Sequence, residues 1–355
     1  MTVDLIQPEN VYALVVGIEK YKAGSEWDLN GPANDALKFA NWLLERDVKP
    51  ENIQLFLSPL DVNVAVLEKA KAKELSPFPA DRNHIDSAIR SKLTSESNRG
   101  DLLYVFWGGH GIVTKTDATT RRLFFADTDN INKWNLNFNS LVDALNTFAH
   151  SSGFKQQNFL IDACANTYYQ GLYETIGAEA AASKFITNGE QGKAEQFVFF
   201  ASAEYDVAIN EATEGTGRFS KAVLDELQQK PLLPDMKALA EQIKANFRER
   251  KQSEPVYKWL KVGDDEEEDD RIKLKDVVVP QKRQPLSPGK QLKLQYLQTK
   301  GDGLKQKVQK VQSQIDTVLP YDVLTKDALE NRLNLLSEEI DQVHQSIGDL
   351  EQENG

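Results

Sequence analysis

The sequence predicts an α/β protein, a three-layer αβα sandwich around a mostly parallel six-stranded sheet, followed by a C-terminal α-helical hairpin. Between Tyr12 and Gly263, apolar runs of strand length alternate with stretches of helical periodicity. These runs are continuously apolar, as strands covered on both faces of a sheet must be. From Gln281 onward, two long stretches follow heptad spacing instead.

Six strands are predicted from the apolar runs and five helices from the stretches between them. In the first helix Leu37, Ala40 and Leu43 share one face, which is typical of a helix packed on a sheet. Strands that alternate with helices favour parallel pairing. The strands are residues 12–18, 52–58, 102–107, 159–162, 197–201 and 255–260. The helices are residues 33–46, 83–93, 138–148, 219–229 and 235–250.

A change in charge marks the end of the α/β domain, which we place at residues 1–263. Residues 264–270 are all acidic and cannot lie in an interior. We expect them to begin a solvated linker, residues 264–284, that is first acidic and then basic. A calcium site or a contact for a basic partner are the alternatives, although no ligand spacing supports them.

Residues 285–355 are expected to form an antiparallel helical hairpin that turns at Pro320. In its second arm the apolar residues alternate steps of four and three. Residues 271–310 hold 11 basic and 2 acidic side chains, whereas residues 311–355 hold 2 and 10, so the two arms attract each other. Two helices bury little by themselves, so the hairpin needs a third helix, the α/β domain or another chain. It either recruits a regulatory partner protein or pads the domain.

The composition excludes several classes of function. A formal net charge of −12 argues against nucleic-acid binding, because phosphate contacts need a basic footprint. The single cysteine, Cys164, excludes a disulfide framework and a cysteine-rich metal site. The first residues lack the features of a signal peptide, and no run approaches the roughly 18 apolar residues of a membrane span. We therefore expect a cytoplasmic protein that binds neither membrane nor nucleic acid.

Two chemically reactive side chains follow apolar strands. His110 follows the predicted strand 102–107, and Cys164 follows the strand 159–162. Ligands bind at the carboxyl ends of parallel strands, so neighbouring strand ends can share one site. A thiol and an imidazole are what nucleophilic acyl transfer needs, because the thiolate attacks a carbonyl and the imidazole moves the proton.

A lone cysteine is more often an inert core residue. Two features favour catalysis instead. The residues after Cys164 leave the sheet, and His110 is framed by Gly108, Gly109 and Gly111, where a substrate backbone can approach closely. The other histidines are expected to have plain surface or capping roles; they are His84, His150 and His344.

Four segments in combination resemble the caspase-like cysteine peptidases, and among these the prokaryotic members related to metacaspases and paracaspases. They are the strand 12–18, the element Leu29-Asn-Gly-Pro-Ala-Asn-Asp-Ala36, the strand ending in Trp-Gly-Gly-His-Gly111, and Phe-Leu-Ile-Asp-Ala-Cys164. The resemblance covers residues 10–262. It divides them into a large-subunit-like part, 10–176, and a small-subunit-like part, 195–262.

The resemblance implies roles for individual residues. Cys164 is the nucleophile, His110 is the general acid and base, and the backbone N–H groups of Gly111 and Cys164 form the oxyanion hole, with Gly108 beside the substrate. Asp35 and Asp162 match the acids of the S1 pocket, where two carboxylates select Arg or Lys at P1. The alternatives are that Asp35 serves a helix dipole and Asp162 satisfies nearby backbone groups.

Some features depart from the metacaspase pattern. Pro32 stands where metacaspases often carry Cys, and Ala165-Asn166 follows the nucleophile in place of His-Ser-Gly. Calcium dependence therefore stays open, while the dyad itself requires no cofactor and no metal site is predicted. The segment 177–196 holds Lys184 and Lys193, which are candidates for self-processing; an uncut loop is the alternative.

The sequence thus predicts a cysteine endopeptidase that cleaves peptides or proteins after Arg or Lys and is gated by self-processing or by a partner of residues 285–355. The resemblance implies a role in bacterial stress, defence or cell-death signalling. A catalytically silent scaffold that binds partners through its C-terminal helices is the alternative, and an enzyme specific for Asn or Asp is a third. Since His110, Cys164 and the glycines are all present, we favour the enzyme.

Overall fold

A central sheet organises the part of the chain that the structure describes. In this computed structural model the described residues are 6–94, 100–113, 120–147, 153–164, 181–185, 194–203, 208, 210–211, 214–250, 252–260 and 267–269. The strands are β1 Val11–Ile18, β2 Ile53–Ser58, β3 Phe78–Pro79, β4 Leu102–Gly108, β5 Gly111–Ile112, β6 Arg122–Phe124, β7 Asn135–Asn137, β8 Gln156–Asp162, β9 Ala182–Ser183, β10 Glu195–Phe200, β11 Asn210–Glu211, β12 Thr216–Gly217, β13 Val256–Leu260 and β14 Glu267–Asp269. The helices are α1 Pro32–Leu44, α2 Ala65–Lys71, α3 Arg82–Ala88, α4 Phe138–Leu145, α5 Arg218–Leu227 and α6 Met236–Glu249.

The central sheet has the strand order β14-β13-β10-β8-β4-β1-β2-β3. The strands from β10 to β3 in this order all pair in parallel, whereas β13 and β14 are antiparallel to their neighbours. All six predicted strands lie in this sheet, and the prediction of a mostly parallel sheet is confirmed. The short strands β3 and β14 make the sheet wider than predicted, with eight strands among the described residues.

The strand β14 lies within the acidic run that the sequence assigns to a linker. An edge strand needs only backbone pairing along one side, so consecutive acidic residues are compatible with it. The rest of the predicted linker and the predicted hairpin lie outside the described residues.

Both faces of the central sheet are covered, as the continuous apolar runs predict. In β1, Val11, Ala13 and Val15 face one layer, Leu14 and Val16 face the other, and all five are fully buried. The first layer contains α1, α2, α5 and α6. The second contains α3, α4 and a smaller sheet of strand order β5-β6-β7-β9. The three-layer sandwich is therefore confirmed.

Local hydrogen bonds fix where several helices begin. Asp81, Asn137 and Asp235 stand just before α3, α4 and α6, and each side chain accepts a hydrogen bond from a backbone N–H of the first turn. The smaller sheet was not predicted, because strands of two or three residues are too short to show a periodicity.

A buried carboxylate, Glu19, joins two loops at the carboxyl end of the sheet. It follows β1, is 0% exposed, and accepts hydrogen bonds from the backbone N–H groups of Gly31 and Ala33 at 3.1 and 3.2 Å. Its other oxygen accepts from the Leu60 N–H and from Asn63 Nδ2, both at 2.9 Å. Because four donors surround it, the carboxylate fixes the first turn of α1 against the loop that follows β2.

We expect Glu19→Ala to lower the free energy of unfolding by about 3 kcal/mol, because it leaves two buried backbone N–H groups and one half-buried one without their acceptor. Chemical denaturation would measure the loss. Glu51→Ala, at an exposed position before β2, is the control and should change stability by less than about 0.5 kcal/mol. An equal effect of the two substitutions would contradict a role of Glu19 in joining the loops.

Candidate active site

The ends of β1, β4 and β8 lie side by side at one edge of the sheet. The register pairs Gly17 with Gly108, and Gly108 with Asp162. Both glycines face the start of α1. A Cβ at Gly17 would overlap the Pro32 carbonyl oxygen, and one at Gly108 would lie 3.2 Å from the Pro32 Cβ. The first turn of α1 therefore lies directly on two glycines and close to Asp162.

Asp35 comes from this first turn and is 0% exposed. Its carboxylate accepts hydrogen bonds from Thr216 Oγ1, at 2.9 and 2.8 Å to the two oxygens, and from the Gly217 N–H at 2.9 Å. Lys38 Nζ pairs with it at 3.0 Å. Burial raises the pKa of Asp35, and the Lys38 charge and these hydrogen bonds oppose the shift.

Asp162 is the last residue of β8 and is 8% exposed. Its Oδ2 accepts hydrogen bonds from the Ser220 N–H at 3.0 Å and from the Ser220 hydroxyl at 2.6 Å. Burial raises its pKa to about 6, and the nearby Asp35 acts in the same direction. A Cβ at Gly217 would overlap Asp162 Oδ2, so the backbone of β12 packs directly on this carboxylate.

His110 lies between β4 and β5 among aromatic rings. Its backbone N–H donates to the Tyr21 hydroxyl at 2.8 Å, and its Nε2 lies 2.9 Å from the Trp27 carbonyl oxygen. Ring centroids of Tyr21 and Trp27 are 5.0 and 5.5 Å from the imidazole. Since a carbonyl only accepts hydrogen bonds, this contact places the proton on Nε2 and leaves Nδ1 as the basic nitrogen.

Burial lowers the pKa of His110 to about 4, so the imidazole is neutral near pH 7. A neutral imidazole with a defined tautomer can take a proton from a thiol.

Cys164 follows β8 and is partly exposed. Its Sγ lies 3.5 Å from the Ala208 carbonyl oxygen, to which the thiol donates. A Cβ at Gly111 would come 2.8 Å from the Cys164 carbonyl oxygen and 2.9 Å from the Ala163 Cβ. The segment of His110 and Gly111 therefore packs against the segment of Cys164, and glycine is needed for that approach.

The structure brings six of the predicted site residues to one edge of the sheet: Cys164, His110, Gly111, Gly108, Asp162 and Asp35. Lys184 lies elsewhere, after β9, and is exposed between the buried Ser183 and Phe185. Lys193 lies outside the described residues.

His84 is an exposed residue of α3, and its ring Nδ1 lies 2.8 Å from Asp81, as expected for a plain surface histidine. His150 and His344 lie outside the described residues.

Four residues of the site were missed by sequence reasoning: Tyr21, Trp27, Thr216 and Ser220. The first two lie in the loop after β1, which ends at the same edge as β4 and β8, so their position in the chain could have indicated them. Thr216 and Ser220 contact acids distant in sequence, and no local pattern reveals such a pairing.

Comparison with known proteins assigns the chain to a family. The family model of the peptidase C14 caspase domain matches residues 10–264, and the chain belongs to this family. A relative, a probable protease from a Desulfuromonadales bacterium, is 27% identical over 220 residues, which is 60% of this chain and 25% of that protein. The chain thus matches about a quarter of the length of this relative. Family membership implies a peptidase domain of the cysteine type.

Two solved structures are also similar. A protein from Geobacter sulfurreducens is 14% identical, with a TM-score of 0.46, over 72% of this chain and 95% of that one. Caspase-1 from Spodoptera frugiperda is 11% identical, with a TM-score of 0.43, over 73% of this chain and 89% of that one.

Among the described residues, no helix has the length and apolar character to cross a membrane. Within the same residues, no group of three or more His, Cys, Asp or Glu side chains is placed to hold a metal ion.

The close approach of α1 predicts a graded response to added methyl groups. We expect Gly17→Ala to lower the free energy of unfolding by about 3 kcal/mol, because the new Cβ meets backbone of α1. Gly108→Ala should cost about 1 kcal/mol, since its Cβ meets the Pro32 ring at a longer distance. Urea denaturation of both variants tests the order, and a larger loss for Gly108→Ala would contradict this packing.

Proposed function

We propose that this chain is a cysteine endopeptidase that cleaves after Arg or Lys, with Cys164 as nucleophile and His110 as general acid and base. The observation that carries the proposal is the packing of Gly111, the residue after His110, against the Cys164 backbone beside two buried carboxylates. The family adds the reaction class.

The chemistry begins with the transfer of the Cys164 thiol proton to His110 Nδ1. The thiolate attacks the scissile carbonyl carbon, and the oxyanion that forms accepts hydrogen bonds from the N–H groups of Gly111 and Cys164. His110 then gives the proton to the leaving amine, which departs and leaves a thioester. Water attacks the thioester with His110 as base, which releases the acid and regenerates the thiol. Throughout, the Trp27 carbonyl oxygen accepts the Nε2–H and stabilises the transient imidazolium.

The acidic side chains support the proposed P1 preference. Buried carboxylates favour a bound cation over a neutral or acidic side chain, because a cation restores the electrostatic stabilisation that burial removes. The alternative role of Asp162 also finds support, since this residue accepts a hydrogen bond from the Ser220 N–H. Asp35 stands in the first turn of α1, as a helix-dipole role requires, but its backbone donor, the Gly217 N–H, belongs to β12. Preference for Asn or Asp at P1 has no comparable support, since an anionic Asp would be repelled here and a neutral Asn would form no ion pair.

Of the two candidate sites of self-processing, we propose Lys193 in preference to Lys184. The neighbours of Lys184 are held in place: the Ser183 hydroxyl donates to Asp86 at 2.6 Å, and the buried Phe185 ring lies 4.9 Å from the Arg90 guanidinium. A peptide bond must enter an active site as extended, accessible chain, which these contacts oppose.

The cellular setting is proposed from the sequence features alone. We place the enzyme in the cytoplasm of a bacterium, in stress, defence or cell-death signalling, with the segment 285–355 as the contact for a regulatory partner protein. Calcium could act as a regulator, and the dyad chemistry needs no cofactor. The catalytically silent scaffold remains the second candidate.

A positional library of peptides that varies P1 tests the reaction. We expect cleavage after Arg and Lys, and a loss of at least about 10⁴-fold in kcat/KM in Cys164→Ala and in His110→Ala, because nucleophile and base act as a unit. His84→Ala, which removes an exposed histidine, is the matched control and should stay within about twofold of the wild type. Cleavage by Cys164→Ala would contradict the mechanism. Absence of wild-type cleavage, with and without calcium, would favour the scaffold.

The proposed pocket also predicts a pH dependence. Below a pKa of about 6, Asp162 in the free enzyme takes up a proton and no longer pairs with a cation. We therefore expect kcat/KM for a P1 Arg peptide to fall as the pH drops through about 6, by up to about tenfold per unit. His110 remains a neutral base there, since its pKa is about 4. The same fall of kcat/KM with pH for a peptide with neutral citrulline at P1, or in the Asp162→Asn variant, would contradict the assignment of this pH dependence to Asp162.

A further inference from the structure

The two acids of the site differ in how fully their oxygens are occupied. In Asp35, Oδ1 accepts from Thr216 Oγ1 and Lys38 Nζ, and Oδ2 accepts from Thr216 Oγ1 and the Gly217 N–H. The residue is 0% exposed. Both oxygens of Asp35 are therefore engaged by this chain itself, and one of the partners is a cation.

Asp162 has a different environment. Both of its hydrogen-bond donors, the Ser220 N–H and hydroxyl, bind Oδ2. In the described part of the chain no hydrogen-bond donor is directed at Oδ1 of Asp162, although only 8% of the residue is exposed. Oδ1 is not among the fully buried polar atoms that lack a partner, so this oxygen keeps access to the outside and can accept a hydrogen bond from a ligand.

Lys38 approaches Asp35 from the outer side of α1. Its side chain is 57% exposed, whereas that of Asp35 is 0% exposed. Lys38 lines an open groove of about 600 Å³ between α1 and α5, together with Trp42, Lys221 and Asp225. The ammonium group thus balances the charge of Asp35 from outside, on the surface of the helix layer.

The strand β12 connects the two acids. Asp35 holds it through Thr216 and Gly217, and the Gly217 backbone packs on the carboxylate of Asp162. The position of β12 beside Asp162 therefore depends on an ionised and correctly placed Asp35.

From these contacts we propose a division of roles: Asp35 and Lys38 form a positioning pair that fixes β12, and Oδ1 of Asp162 alone contacts the cationic P1 side chain. The proposal rests on the proposed function, and it makes Lys38 a positioning residue for substrate recognition. A P1 cation that bound Asp35 directly would have to displace Lys38 or Thr216 from a fully buried carboxylate.

The test compares peptides with Arg and with its neutral analogue citrulline at P1, because the ratio of their kcat/KM values cancels differences in the folded fraction. Asp162→Asn is expected to lower the Arg/citrulline ratio by about 100-fold, since it removes the charged contact. Asp35→Asn should change the ratio by less than about fivefold, because the charge it removes does not meet the substrate.

Lys38→Met is expected to raise KM about fivefold for both peptides, with kcat within about twofold, because β12 loses its fixed position. Lys38→Arg should restore KM, and Lys38→Met should add little in an Asp35→Asn background. Lys71→Met is the matched control, since Lys71 forms the same i,i+3 pair with Glu68, at 2.8 Å, on the neighbouring helix α2. A lower KM in Lys38→Met would overturn the proposal, because it would show that Lys38 competes with the substrate for Asp35. So would an equal fall of the Arg/citrulline ratio in Asp35→Asn and Asp162→Asn.

Binding of agmatine, the decarboxylated form of arginine, to the Cys164→Ala protein gives a readout that needs no turnover. Calorimetry should detect binding that Asp162→Asn abolishes and Asp35→Asn retains. If the wild-type protein cleaves no peptide but Cys164→Ala gives this binding result, the proposed function is refuted and the division of roles is supported. No agmatine binding, or binding that depends equally on both acids, would overturn the division of roles whether or not the protein cleaves peptides.

Discussion

The approach of α1 to the ends of β1 and β4 is the contact on which the site depends. It requires two residues without side chains, Gly17 and Gly108, next to each other in the sheet register. Because α1 lies on them, its first turn brings Asp35 beside Asp162 at the end of β8. The same strand ends carry His110 and Cys164 past the edge of the sheet. A helix held a few ångströms further away would leave the two acids apart, and β12 would lose its contact with both.

Three buried carboxylates surround this contact, and each is stabilised by this chain's own donors. Glu19 accepts from four groups and holds the start of α1, Asp35 accepts from β12 and Lys38, and Asp162 accepts from Ser220. Burial of a charge is unfavourable by several kcal/mol unless such partners offset it. The raised pKa values of Asp35 and Asp162 show that the compensation is incomplete at these two residues. An incompletely compensated carboxylate is the group that gains most from an incoming cation, which links the electrostatics of the fold to the proposed specificity.

The histidine side of the site is arranged by different forces. Aromatic rings of Tyr21 and Trp27 exclude water from His110 and lower its pKa, while one carbonyl oxygen selects its tautomer. The result is a neutral base at the same edge as a partly exposed thiol. Acid groups with raised pKa values and a base with a lowered one therefore share the site. Each shift has burial as its largest cause, so the enclosure of the site by α1, β12 and the loop after β1 sets its protonation state.

The sequence was enough to predict the fold class, the six main strands and the strand-end positions of His110, Cys164 and Asp162, because hydrophobic periodicity and strand boundaries are local properties of the chain. It also indicated Asp35 and Gly111 through the family resemblance. Which groups meet is known only from the folded chain: Thr216 and Gly217 contact Asp35, Ser220 contacts Asp162, and the Trp27 carbonyl contacts His110. The short strands and the four hydrogen bonds accepted by Glu19 are likewise visible only in the tertiary structure. These features arise from packing between segments far apart in the chain, and nothing in the local pattern of residues records which distant donor a buried carboxylate will find.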